Sequence, residues 1–140
     1  LVLSVDLVTD VPLQKLHDMH QLRDSAVTVL LKEKHVPRDV KAPKWQDAFV
    51  IDSNKSQLLH VAAATDCDGT LGIRNSLLLA HGDVNIFTNL SDVHCYIFAH
   101  WVFDLLEAKP HLTNIRYELL PYLLRRQFIN TEDQLPESSE

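Results

Sequence analysis

The sequence predicts an α/β protein built around a parallel sheet. The first observation is a pair of apolar runs, residues 1–5 and 26–32, which are separated by a segment with helical periodicity. Strand, helix and strand within about thirty residues are typical of a βαβ crossover, which joins two parallel strands. The second observation is a pair of apolar runs around the turn formers Ser53 and Asn54, which indicates a β-hairpin.

We expect the first strand to be an inner member of that sheet. Residues 1–5 form a nearly continuous apolar run, as in strands that are covered on both faces. We assign Asp10 as the N-cap of the following helix and expect Pro12 to lie just inside the start of that helix. Leu13 and Leu16 then fall on one face of that helix.

Local patterns predict the elements that follow. They are a hairpin over residues 48–64, a helix over residues 76–82 that Gly82 closes, strands at residues 84–89 and 93–99, and a helix around Trp101 and Leu105. Residues 33–45 break the periodicity, and we interpret them as a solvated loop and not as a nucleic-acid patch, because aromatic residues are not interleaved with the basic ones.

The last helical segment contains a proline. Thr113 is expected to be its N-cap. Pro121 lacks a backbone N–H and clashes with the preceding turn, so we expect a break that gives two short helices, residues 114–120 and 121–127. Residues 129–140 are acidic, contain serine and are poor in apolar residues, which is typical of a linker or tail.

Composition narrows the class of protein. The chain has 140 residues, enough for one ordinary domain, and a formal net charge of −6, which argues against direct nucleic-acid binding. No apolar run approaches the ~20 residues of a membrane span, so we expect no membrane partner. The two cysteines suit a reducing compartment, and we expect a cytoplasmic protein. The chain has only three glycines and neither of the common phosphate-loop motifs.

Asp6 is the candidate site residue, because it follows the first strand. Ligands of open α/β sheets bind beyond the carboxyl ends of the parallel strands, and a carboxylate there often holds a divalent metal ion. The alternative is that Asp6 bonds to the turn that follows it. Position in the sequence does not decide between these two roles.

Four other patterns have a structural interpretation beside the functional one. Asp66 and Asp68 resemble the nucleophile motif of the haloacid dehalogenase superfamily, but the rest of that motif is missing, and we favour a turn. His17 and His20 lack a second pair of metal ligands at matching spacing. His94 and Cys95 alternate along a strand, so their side chains are expected to face opposite sides. Arg125 and Arg126 suit the last turn of an amphipathic helix better than a dedicated binding surface.

Two stretches carry a family resemblance. "SVDLVTDVPL" at residues 4–13 and "NIRYELLPYLLRRQF" at residues 114–128 resemble segments of the gamma subunits of the guanine-nucleotide exchange factor for translation initiation factor two. The second stretch is the stronger evidence for the family resemblance. The resemblance covers nearly the whole chain and is weakest over residues 33–45.

The resemblance implies a nucleotidyltransferase-like fold, similar to that of the sugar-nucleotide pyrophosphorylases. The chain is then an incomplete Rossmann-like sheet with flanking helices and a β-hairpin. Residues 1–128 are the C-terminal part of the domain, and residues 129–140 are an acidic linker or tail. Asp6 falls where true pyrophosphorylases carry a metal-binding Asp, so we expect a relic ligand-binding site there, without a cofactor.

The implied function is that of a structural and regulatory subunit without catalytic activity. It supports the exchange of GDP for GTP on translation initiation factor two, within a complex whose epsilon subunit performs the exchange. The expected partners are the other subunits, above all epsilon, and the initiation factor itself. The alternative is a Mg²⁺-dependent nucleotidyltransferase that makes a nucleoside-diphosphate sugar, and an intact upstream glycine-rich loop would favour it.

Overall fold

The computed structural model describes residues 1–35, 37, 41, 46–54, 56–64 and 71–128. This part of the chain is a small α/β structure with two three-stranded antiparallel sheets. Its strands are β1 (Val2–Leu3), β2 (Val27–Glu33), β3 (Ala48–Asp52), β4 (Gln57–Ala62), β5 (Val84–Phe87) and β6 (Leu90–Phe98). Its helices are α1 (Leu13–Leu22), α2 (Asn75–Ala80), α3 (Trp101–Ala108) and α4 (Leu120–Arg126), and a π-helical turn, Ile115–Leu119, leads directly into α4.

The first sheet has the strand order β1-β6-β2. Strand β6 is antiparallel to both neighbours, so β1 and β2 run parallel to each other without being adjacent. The predicted strand–helix–strand order and parallel direction are confirmed. The prediction of a purely parallel sheet is wrong for the described part of the chain, because the nine-residue β6 lies antiparallel between the two parallel strands. That the first strand is an inner member stays a prediction, because the described residues supply a neighbour on only one side of β1. Leu3 in β1 is accordingly 44% exposed.

The second sheet has the order β4-β3-β5. Its central strand β3 is buried along most of its length, because it is paired on both edges. The predicted hairpin of β3 and β4 is confirmed, and its turn is closed by the Asn54 N–H, which donates to Asp52 Oδ1 at 2.8 Å. The chain passes from this sheet to the first one through Thr88 and Asn89, since β5 ends and β6 begins on either side of them.

The ends of α1 and α2 differ from the predicted ends. Pro12 occupies the N-cap position of α1, and Asp10 lies outside the helix, so the assignment of Asp10 as the cap is wrong. The helix α2 ends at Ala80, and the N–H of its C-cap, His81, donates to the Leu77 carbonyl at 3.2 Å. Gly82 does not have the left-handed backbone of a glycine cap, so the helix is confirmed but not its predicted closure.

The last helical segment begins one residue later than predicted. Its cap is Asn114, not Thr113, and Asn114 Oδ1 accepts the N–H groups of Arg116 and Tyr117, each at 3.0 Å. The break expected at Pro121 takes the form of a π-helical turn, after which Pro121 lies in the first turn of α4. A proline is tolerated in that position, because its N–H is not needed there.

Three apolar clusters hold the described structure together. Leu16 of α1 packs against Cys95 and Ile97 of β6. On the second sheet, Leu77 of α2 packs against Val50 and Leu59. The third cluster joins α3 to the C-terminal helical segment through Val102, Leu119 and Leu123. Each helix is therefore fixed by one apolar stripe, which leaves its other face exposed.

Candidate functional site

Asp6 lies in the turn that follows β1, and its side chain faces solvent. The Ser4 hydroxyl donates a hydrogen bond to Asp6 Oδ1, and the Leu7 N–H donates to the Ser4 carbonyl at 3.2 Å. The Ser4 hydrogen bond, a backbone hydrogen bond and the nearby imidazole of His94 hold the pKa of Asp6 below its usual value. Asp6 is therefore a stable, accessible carboxylate that is already bonded to its own turn.

His94 lies near Asp6, at a point where β6 is irregular. Three residues of β6, between Asp92 and Tyr96, lie opposite the single residue Leu30 of β2. Within this bulge His94 has a positive φ of 56°, which is uncommon for a residue with a side chain. Its carbonyl accepts the Ser4 N–H at 3.0 Å, which fastens the end of β1 to the bulge.

The bulge is held by a buried carboxylate. Asp92 is 7% exposed, and its Oδ1 accepts the His94 N–H at 2.8 Å. Its other oxygen accepts a hydrogen bond from the Tyr96 hydroxyl, and Tyr96 is also buried. Burial and the neighbouring Asp92 raise the pKa of Tyr96 well above its usual value, so the phenol stays protonated and donates. Asp92 thus fixes the backbone conformation of the bulge and the position of His94.

The arrangement offers one solvent-facing carboxylate beside one half-exposed imidazole. That pair suits binding of a polar group by hydrogen bonds. Among the described residues, no three His, Cys, Asp or Glu side chains are grouped so that they could hold a metal ion. The described part of the chain therefore contains no metal site formed by protein side chains alone.

The other sequence candidates lie apart from Asp6. Asp66 and Asp68 fall outside the described residues. In α1, His17 is exposed, whereas His20 Nδ1 lies 2.8 Å from Thr28 Oγ1 and joins the helix to β2. Cys95 is fully buried, and burial raises the pKa of its thiol, which is the opposite of what a nucleophile needs.

The two arginines at the end of α4 have different surroundings. Arg126 lies over the ring of Tyr122, with 5.4 Å between the guanidinium carbon and the ring centroid. Arg125 lies at the rim of a small cavity instead, and its Nε donates to the Pro121 carbonyl at 3.3 Å. Both are exposed and lie in the last turn, as the amphipathic pattern indicates.

Two pairs of interacting side chains were not predicted from the sequence. His81 Nδ1 lies 2.7 Å from Asp52 Oδ2, and the two side chains are 9% and 6% exposed. Arg116 forms an ion pair with Asp47. The members of each pair are far apart in the sequence and belong to no short motif, so no local signal joins them. The partners of each pair come together only in the folded structure, where the second sheet packs against its neighbouring helices.

Within the described residues, no helix has the length and apolar character needed to cross a membrane. No family model matches the chain. It is 35% identical over 99 residues to "Translation initiation factor eIF2B subunit gamma" of Schizosaccharomyces pombe, an alignment that covers 71% of this chain and 22% of the relative.

Proteins of the same name in two other organisms are also similar. The Dictyostelium discoideum protein is 31% identical over an alignment of 147 residues, which covers 93% of this chain and 33% of the relative. The Caenorhabditis elegans protein is 25% identical over 133 residues, which cover 91% of this chain and 33% of that protein. The chain thus spans only about a fifth to a third of the length of these curated relatives. The resemblance predicted from the sequence is confirmed.

Proposed function

We propose that this chain, a homologue of the eIF2B gamma subunits, is part of a gamma-type subunit of the exchange factor that acts on translation initiation factor two. The observation that carries the proposal is the similarity to the Dictyostelium discoideum protein, which covers 93% of the chain. In this role the protein is a structural and regulatory subunit in the cytoplasm. It supports exchange of GDP for GTP by favouring the nucleotide-free form of its target, which requires differential binding and no bond chemistry.

The partners in this proposal are the other subunits of the complex, above all the epsilon subunit, and the initiation factor. Large exposed side chains are available for such contacts. Trp101 and Phe103 of α3 are each 51% exposed, and Tyr117 of the π-helical turn is 55% exposed. Aromatic residues of this kind are enriched at protein interfaces, because they bury a large area at low cost in conformational entropy.

The proposal includes a nucleotidyltransferase-like fold, with residues 1–128 as the C-terminal part of the domain and residues 129–140 as a linker. The parallel strands β1 and β2 joined by α1 support it. Asp6, at the carboxyl end of β1, is then a relic ligand-binding residue. A structure of the full-length protein tests this part: an additional strand paired with the free edge of β1 is expected, and a β1 edge left bare contradicts it.

The functional test is co-purification followed by an exchange assay. The full-length protein is expected to co-purify with the epsilon subunit, and the pair is expected to release GDP from the initiation factor faster than epsilon alone. The runner-up, a Mg²⁺-dependent nucleotidyltransferase, predicts release of pyrophosphate from a nucleoside triphosphate and a sugar phosphate. Pyrophosphate release by the full-length protein that is lost in Asp6→Asn would overturn the proposal.

A further inference from the structure

A small cavity lies between β4, the segment that leads into α2, and α4. Its volume is about 230 Å³, and it lies apart from Asp6. The polar groups around it are His60, Arg74 and Arg125. Its apolar wall is formed mainly by Leu59, Leu77 and Leu124, all of which are buried.

The charge of this cavity is positive and uncompensated in the described structure. Neither Arg74 nor Arg125 forms an ion pair with a described carboxylate; the described ion pairs involve other residues. Arg125 donates to the Pro121 carbonyl through its Nε, and its two terminal nitrogens make no hydrogen bond to a described residue. Among the residues that the structure describes, no acidic side chain lines the cavity. Two exposed arginines thus line a partly apolar space and form no ion pair with a described carboxylate.

His60 adds a third polar group from the sheet side. It is half-buried in β4, and its pKa is lowered by burial and then by the charges of Arg125 and Arg74. All three side chains line the same cavity, and the charges of both arginines act on the imidazole. A neutral imidazole offers one N–H donor, so the cavity presents donors from three separate elements.

We propose that this cavity is a binding site for the phosphate group of a small ligand. Arginine presents paired N–H donors that match a tetrahedral phosphate, and two arginines match the charge of a phosphate dianion. The volume of about 230 Å³ is below the roughly 300–1,000 Å³ of pockets for drug-sized ligands, so it suits one phosphate group with a short apolar attachment. This site is distinct from the proposed role in nucleotide exchange and does not depend on it.

Calorimetric titration of the full-length protein with inorganic phosphate, at fixed ionic strength, tests the proposal. Saturable binding at millimolar phosphate is expected. Arg125→Gln and Arg74→Gln are each expected to weaken it about tenfold, since a hydrogen bond to a charged group contributes at least that factor. The matched control is Arg126→Gln, which makes the same charge change one residue away over the Tyr122 ring and is expected to change affinity less than twofold.

Several results would overturn the proposal. The first is the lack of saturable phosphate binding by the wild-type protein. The second is an equal loss of affinity in Arg126→Gln. The third is displacement of phosphate by acetate at equal concentration, which indicates a carboxylate site.

Both arginines are exposed, so thermal unfolding of the variants without phosphate should match that of the control. Arg125→Lys provides a second check, because it keeps the charge and loses the paired donors; binding between that of the wild type and Arg125→Gln is expected, and wild-type affinity contradicts the assigned geometry. The exchange assay is a separate measurement, so either proposal can fail alone.

Discussion

The guanidinium of Arg116 is paired with the carboxylate of Asp47, 69 residues earlier in the chain. The two side chains are 21% and 16% exposed, so the pair is largely shielded from solvent. Asp47 Oδ1 also accepts the Ala64 N–H at 2.9 Å. One carboxylate therefore connects the start of β3, the segment after β4 and the π-helical turn, and this connection fixes the C-terminal helical segment against the second sheet.

Arg116→Met is expected to lower the free energy of unfolding by about 2 kcal/mol, between the values for exposed and fully buried ion pairs. The loss arises because the Asp47 side chain, which is 16% exposed, is left in a shielded place without its partner. Urea-induced unfolding measures the effect as a shift of the midpoint at constant slope. Arg23→Met is the matched control, since Arg23 is exposed and has no described side-chain contact. Equal midpoints for the two variants would show that the ion pair does not stabilise the fold.

Asn114→Ala is expected to lower the free energy of unfolding by about 1 kcal/mol, because the N–H groups of Arg116 and Tyr117 lose their acceptor at the start of the helical segment. Thermal or urea unfolding measures the change. Asn75→Ala, at the first position of α2, is the control and is expected to stay within about 0.5 kcal/mol of the wild type. If Thr113→Ala had the larger effect, Asn114 would not be the cap.

Local patterns were sufficient to predict most of the elements. The hairpin around Ser53 and Asn54 and the helix around Trp101 and Leu105 depend on short-range periodicity and turn chemistry, which the chain displays directly. The cap of the last segment was misplaced by one residue, because Thr113 and Asn114 both suit that position.

Long-range pairing could not be predicted from the same patterns. Strand order depends on which distant segments meet, so nothing near residues 1–5 indicates that β6 lies between β1 and β2. The bulge that brings His94 to Asp6 depends on its register against β2, which alternation alone does not reveal. Of the candidate site, the sequence predicted only that Asp6 follows a strand.

The stability contributed by Glu118 is expected to depend on pH. Its carboxylate accepts the N–H groups of Asn114 at 2.9 Å and Thr113 at 2.6 Å, and these bonds lower the pKa of Glu118 below its ordinary value of 4.5. A lowered folded-state pKa means that the unfolded chain binds the proton more readily. The contribution is therefore complete above pH 4.5 and is lost as the pH falls through the folded-state pKa.

Glu118→Gln is thus expected to unfold at a lower temperature than the wild type at neutral pH, and this difference is expected to narrow as the pH falls below 4.5. Melting curves over this range measure the difference. Glu107→Gln in α3 is the control, because Glu107 is exposed and makes no described hydrogen bond, and its difference from the wild type should not follow this pattern. A Glu118→Gln difference that stays constant with pH contradicts the assigned hydrogen bonds.

Tyr96→Phe tests the bulge that places His94 beside Asp6. The substitution removes the donor to the buried Asp92 and is expected to lower the free energy of unfolding by about 2 kcal/mol, because a buried carboxylate loses a hydrogen bond. The matched control is Tyr117→Phe, because the Tyr117 hydroxyl has no described partner. This substitution is expected to change the free energy of unfolding by less than about 0.5 kcal/mol. In a double-mutant cycle with Asp92→Asn, the two changes should be non-additive, since both act on one bond. Strict additivity would mean that the phenol and the carboxylate act independently, and that Asp92 alone sets the place of His94.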